Sequence, residues 1–161
     1  MIGAKVLKYD RCAAPKSLTK ATRLMEYSNA WPSFVKHYCS VINDIEIVSY
    51  EYIKQLKNRP NILLIDVREP QELKETGQIP SSINIPLGQI ANELGPNVDR
   101  DTFKAKYGRE KPEKNSEIIF HCRIGKRSQN AAELARTLGF QNTKNYLGSW
   151  LEWAEKEGLP K

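Results

Sequence analysis

From residue 44 onward, short apolar runs alternate with amphipathic stretches along this chain. Residues 45–48 (IEIV) form a β-branched run, and Ser49 stands where a helix cap belongs, ahead of residues 49–58. Asn58-Arg59-Pro60-Asn61 then breaks the pattern. Residues 61–67 (NILLIDV) are almost continuously apolar, as expected of a strand covered on both faces. Pro70 opens a short helix that Gly77 closes, and residues 83–85 read as a brief strand bracketed by prolines. Helical pieces follow over 87–94 and 99–107, then a charged loop over 109–116. A second buried strand covers 117–121, a helix 128–138, a last strand 143–146 and a closing helix 147–157. Strands alternating with helices predict an α/β fold: a mostly parallel central sheet of about five strands with helices on both faces.

The stretch Ile118-Ile119-Phe120-His121-Cys122-Arg123-Ile124-Gly125-Lys126-Arg127-Ser128 carries the candidate chemistry. A strand stops at a thiol, a loop with one glycine and three cations follows, and a helix begins. In parallel sheets the ligand crevice lies at the carboxyl ends of the strands, where this loop falls. A helix start offers unpaired N–H groups and a positive dipole end, so anions settle there and a thiol is acidified. A free cysteine has a pKa of about 8.5 and needs such help to be a thiolate at neutral pH. Gly125 gives the loop freedom to curl its amides inward. Cys122 is therefore the expected nucleophile, with Arg123, Ile124, Gly125, Lys126 and Arg127 as the expected substrate cradle. His121 precedes the thiol on a strand, where side chains alternate, so it points away and is structural. Trp150 and Trp153 on the closing helix are expected in the core.

Composition narrows the remainder. The chain has 161 residues, 40% hydrophobic and 27% charged, which fits one folded domain with an N-terminal extension. No apolar run approaches the roughly 20 residues of a membrane-spanning helix. Net charge is +6, but residues 1–40 hold seven basic residues against two acidic, leaving 18 against 17 in the rest. The folded part lacks the basic excess of a nucleic-acid-binding domain. The basic, acid-poor segment 1–42 fits a mitochondrial targeting segment or an N-terminal extension of another kind, and the domain is expected over 43–161. Three widely spaced cysteines (Cys12, Cys39, Cys122) and two histidines indicate neither a disulfide framework nor a metal site. A working thiol suits a reducing compartment, mitochondrial matrix or cytoplasm.

Two blocks resemble rhodanese-like domains. LLIDVREPQELKETGQIPSSINIPL is similar to their D-V-R-x-x-x-E-[FY]-x-x-G-H-I-P-G-A-x-N-[IL]-P block. IIFHCRIGKRSQNAAELARTLGF resembles their active-site strand, loop and helix, with the closing N-x-x-G-G-x-x-x-W motif here as Asn145-Tyr146-Leu147-Gly148-Ser149-Trp150. The chain departs from these patterns at Gln78, Ser81, Ser82 and Ser149. The resemblance, over about residues 43–158, implies a cysteine that carries sulfane sulfur as a persulfide. Within the family, the C-R-x-G-K-R loop resembles that of single-domain thiosulfate sulfurtransferases favouring thiol acceptors such as glutathione. It implies a small-molecule donor, a thiol acceptor (glutathione or a thioredoxin-like protein) or cyanide, and no cofactor. It also implies that Asp66 and Arg68 form buried polar contacts that shape the site.

Two other readings compete. Cysteine-phosphatase loops read H-C-x-x-G-x-x-R-[ST], with arginine six positions after cysteine, whereas Arg127 is five positions after Cys122. The shorter loop suits a terminal sulfur better than a tetrahedral oxyanion, so phosphatase or arsenate reductase activity ranks second. A non-catalytic docking module ranks third, because docking needs neither a thiol nor a charged loop.

Overall fold

The structure, a computed structural model, describes residues 45–161. The expected boundary at 42/43, the 1–42 segment with its targeting reading, Cys12 and Cys39 lie outside the described residues. Five short segments become the strands β1 (Glu46–Val48), β2 (Leu63–Asp66), β3 (Ser82–Asn84), β4 (Ile118–His121) and β5 (Thr143–Tyr146). They form one sheet in the order β1-β5-β4-β2-β3, parallel at every pairing. Six α-helices accompany them among the described residues: α1 (Tyr50–Gln55), α2 (Pro70–Thr76), α3 (Ile90–Leu94), α4 (Arg100–Tyr107), α5 (Lys126–Thr137) and α6 (Ser149–Glu157). The expected α/β architecture with about five strands is the one found.

Helices cover both faces, because the central strands are apolar on both. Leu63, Ile65 and Val67 from the β2 segment and Ile118 and Phe120 from β4 pack on one side with Ile90, Leu94, Phe103 and the Ala131, Ala132, Ala135 face of α5. Leu64 and Ile119 face the other side, against Tyr50, Ile53, Trp150 and Trp153. Cys122 joins the first layer. Both tryptophans are buried in the second, as expected from their place on the closing helix.

Several boundaries move for identifiable reasons. Ser49 Oγ accepts the Tyr52 amide at 3.4 Å as predicted, but the helix it starts tightens into a 3₁₀ turn over Leu56–Asn58 ahead of the Asn58–Pro60 break. The 87–94 piece likewise opens with a 3₁₀ turn before α3. Helix α5 begins at Lys126, two residues earlier than predicted, because Gly125 at φ +86° turns the chain straight into it. Ser81 and Ser149 adopt φ of +69° and +53°. Both stand where the patterns quoted above carry glycine, so the departures from those patterns keep a left-handed backbone and add a hydroxyl.

Candidate functional site

β2 and β4 are neighbours at the centre of the sheet, with Asp66 in register with His121. Their carboxyl ends therefore bring the β2–α2 turn beside the Cys122 loop. Cys122 is 1% exposed. Its Sγ accepts the Gly125 amide at 3.1 Å and the Ser128 hydroxyl at 3.6 Å. Burial works to raise this thiol, but hydrogen bonds from the Ser128 amide and hydroxyl and the Ile124 and Gly125 amides outweigh it, so its pKa falls below the ordinary thiol value. The expected acidification is present, and its source is the curled backbone together with Ser128 rather than the loop cations. In sequence Ser128 marks only a helix start; its position in the first turn of α5 puts its hydroxyl on the thiol.

The loop is held from outside by a second helix start. The Trp150 and Leu151 amides, in the first turn of α6, donate to the carbonyls of Cys122 (3.0 Å) and Arg123 (3.2 Å). The Cys122 amide donates to Ser149 Oγ at 3.1 Å, and that hydroxyl donates to the Tyr146 carbonyl at 2.7 Å. Asn145 Nδ2 donates to the Gly125 carbonyl at 3.3 Å and to Gln129 Oε1 at 3.0 Å. Leu147 packs so closely over Gly125 that a Cβ there would lie 2.4 Å from the Leu147 carbonyl oxygen. The motif from Asn145 to Trp150 is thus the strap that shapes the cysteine loop.

The expected cradle residues divide into groups. Arg123 and Lys126 are exposed and make no side-chain ion pair or hydrogen bond among the described residues. Ile124 presents an apolar side chain to solvent at 51% exposure. Arg127 departs from the expectation of a free ligand cation. Its Nη1 and Nη2 grip Glu72 Oε2 (2.6 Å) and Oε1 (2.8 Å) across from α2. The hydrogen bond from Arg127 holds the Glu72 carboxyl down to about 2. Glu72 also takes the Glu69 amide at 3.1 Å, closing the start of α2. Sequence reading passed over Glu72; the acid three positions after Glu69 at a proline-led helix start was the available signal.

Asp66 and Arg68 make the buried polar contacts expected of them, at 0% and 1% exposure. Arg68 Nη2 meets Asp66 Oδ2 at 2.7 Å, and Arg68 also reaches Thr76 Oγ1 (2.9 Å) and the Gly77 carbonyl (2.8 Å). Its guanidinium stacks 4.8 Å from the Trp150 ring centroid. These bonds tie the far end of α2 to the sheet, and none of them reaches the Cys122 loop. Buried His121 lies on the same face, its Nε2 3.7 Å from Asp66 Oδ2, turned away from the thiol as strand alternation predicts. Burial lowers its pKa. Among the described residues no group of three or more His, Cys, Asp or Glu side chains is placed to hold a metal ion, and no helix is long and apolar enough to cross a membrane.

Two surface hollows of about 510 and 710 Å³ lie at the amino ends of the strands, away from Cys122. Their charged walls are partly self-paired, Arg100 with Glu113 and Lys104 with Glu110.

Known proteins resemble this chain in sequence and fold. The chain is 51% identical over 113 residues to the rhodanese domain-containing protein CG4456 of Drosophila melanogaster, covering 70% of this chain and 100% of that one. It is 37% identical over 111 residues to the human thiosulfate:glutathione sulfurtransferase, covering 68% and 94%. The solved structure of the human single-domain sulfurtransferase TSTD1 superposes with a TM-score of 0.62 at 35% identity, covering 70% of this chain and 98% of that one. Residues 49–156 match the model of the rhodanese-like domain, and with a relative more than half identical along its whole length the chain belongs to the rhodanese-like domain family.

Proposed function

We propose that this protein is a thiosulfate sulfurtransferase that carries sulfur on Cys122 and delivers it to a thiol. The observation that carries the reading is the convergence of the Gly125 amide (3.1 Å) and the Ser128 hydroxyl (3.6 Å) on a buried Sγ whose pKa is lowered. Such a site makes and keeps a thiolate, the nucleophilic form of cysteine. The Cys122 thiolate attacks the outer sulfur of thiosulfate, the S–S bond breaks, and sulfite leaves with the bonding electrons. Cys122 then holds a persulfide whose terminal sulfur occupies the amide cradle. An acceptor thiolate attacks that sulfur, the persulfide bond breaks, and the Cys122 thiolate returns with ping-pong kinetics. Arg123 and Lys126 draw the anionic donor in, and Gly125 shapes the loop. Asp66 and Arg68 act through the placement of α2. No metal or organic cofactor enters the scheme.

Glutathione is the proposed small acceptor, supported by the name of the human relative, with a thioredoxin-like protein thiol or cyanide as alternatives of the same chemistry. A mitochondrial matrix or cytoplasmic setting keeps the thiol reduced, and the basic segment 1–40 favours the matrix. Incubation with thiosulfate should add the mass of one sulfur atom to Cys122, and glutathione or cyanide should remove it. Absence of the adduct in the folded protein, or its persistence in Cys122→Ser, would overturn the reading. Hydrolysis of an aryl phosphate that depends on Cys122 would favour a phosphatase instead.

A further inference from the structure

The loop carries three cations, yet only Arg123 and Lys126 are free among the described residues. The third, Arg127, has both terminal nitrogens on Glu72, at 2.6 and 2.8 Å. This pair ties α2, which follows β2, to α5, which follows β4, joining the two helices that leave the carboxyl ends of neighbouring strands. It is partly open to solvent, with side chains 35% and 27% exposed. Arg127 is close enough to Cys122 to feel the thiolate's charge. The one loop cation coupled to the thiolate in this way thus carries its own neutralising carboxylate.

We propose that Glu72 is the residue that sets donor charge, disfavouring dianionic sulfur donors relative to those carrying a single negative charge. The inference rests on the sulfurtransferase reading, keeps thiosulfate as a donor, and adds the residue that tunes preference between donors of different charge. A carboxylate at the wall of a partly buried site repels a doubly charged ligand by one more unit interaction than a singly charged one. It also withholds from the ligand the bidentate fork that arginine offers to oxyanions. Thiosulfate is the dianionic probe and methanethiosulfonate the monoanionic one. With either, Cys122 takes the outer sulfur, the S–S bond breaks, and sulfite or methanesulfinate leaves with the electron pair.

The test is kcat/KM of the full chain with each donor, in wild type and in Glu72→Gln. Glutamine keeps an oxygen for the Glu69 amide and serves a capping box as glutamate does, so the start of α2 is preserved. The expected result is a rise of roughly five- to tenfold in the thiosulfate-to-methanethiosulfonate ratio of kcat/KM, shrinking as salt is added. Glu72→Asp, which keeps the charge, should hold the ratio near wild type even where both rates fall. A merely structural role for Glu72 would move both donors by one common factor, and that result, or a fall in the ratio, overturns the proposal. Failure of the wild type to transfer sulfur from either donor would overturn the sulfurtransferase reading itself, and this inference with it.

Discussion

Gly125→Ala tests how the thiol loop is built. Gly125 sits at φ +86°, and an added Cβ would lie 2.4 Å from the Leu147 carbonyl oxygen and 2.7 Å from its Cδ1. The left-handed backbone costs a non-glycine residue about 1–2 kcal/mol. Forcing a methyl against a fixed backbone oxygen adds about 1–3 kcal/mol, as overpacking does elsewhere. The sum is about 2–5 kcal/mol, a large share of the roughly 5–15 kcal/mol that stabilises a typical domain. For a domain of this size that lowers Tm by about 6–20 °C. Gly158→Ala is the control, since Gly158 has φ +67° but open space where the methyl would go. It should lose only the backbone cost, about 1–2 kcal/mol. Relief of the clash must also move the Gly125 amide away from Sγ, now 3.1 Å off. The pH profile of iodoacetamide alkylation at Cys122 should therefore shift upward in Gly125→Ala and stay in place in Gly158→Ala. Equal stability losses in the two variants, with both alkylation profiles unmoved, would refute the reasoning.

Asp66→Ala leaves the Arg68 guanidinium buried at 1% exposure without its carboxylate, so urea unfolding should show a loss of about 3–5 kcal/mol; a loss below about 1 kcal/mol would contradict the buried pair. Ser128→Ala removes one of the hydrogen bonds that lower the Cys122 thiol, so its alkylation profile should move to higher pH while the Gly125 and Ile124 amides keep it from reaching an ordinary thiol's. A thiol with a depressed folded-state pKa contributes stability that is fully present above the unfolded value of about 8.5 and is lost as pH falls through the folded value. Cys122→Ser should flatten that part of the stability–pH curve, and an unchanged curve would show that the thiol is not depressed. Ser149→Ala keeps the φ of +53° and orphans the buried Cys122 amide, at a cost of about 1–3 kcal/mol, whereas Ser149→Gly relieves the backbone and should be about 1 kcal/mol more stable than the alanine variant by thermal melt.

The fold was readable because its signals are local. Runs such as ILLIDV and EIIFH are apolar on both faces, and only a strand between two helical layers uses them. Glycines at Gly77, Gly108, Gly125, Gly139 and Gly158 take positive φ, four of them at or just beyond helix ends and Gly125 immediately ahead of α5, so punctuation placed the elements to within a residue or two. Periodicity carries no information about which strands are neighbours. The order β1-β5-β4-β2-β3 rests on crossover packing, and it puts the β2–α2 turn beside the cysteine although 55 residues separate Glu72 from Arg127.

The same division runs through the site. Strand, thiol, glycine and helix start lie within eleven consecutive residues, so an acidified Cys122 could be read from spacing alone. What could not be read is the full set of groups that acidify it. The helix start and the inward-curled amides could be anticipated, but the Ser128 hydroxyl among the four hydrogen-bond donors on the thiol could not, because side-chain direction is not visible in a sequence. Arg127 shows the consequence. As a letter it is one more positive charge near a thiol; in the fold its charge is answered by Glu72, a residue the motif contained but gave no reason to single out. A loop that sets its thiol with backbone and Ser128 leaves its side-chain charges free for another task. On the reading proposed above, Arg123 and Lys126 attract the donor and the Arg127–Glu72 pair discriminates among donors, while the hydrogen bonds from backbone and Ser128 hold the nucleophile.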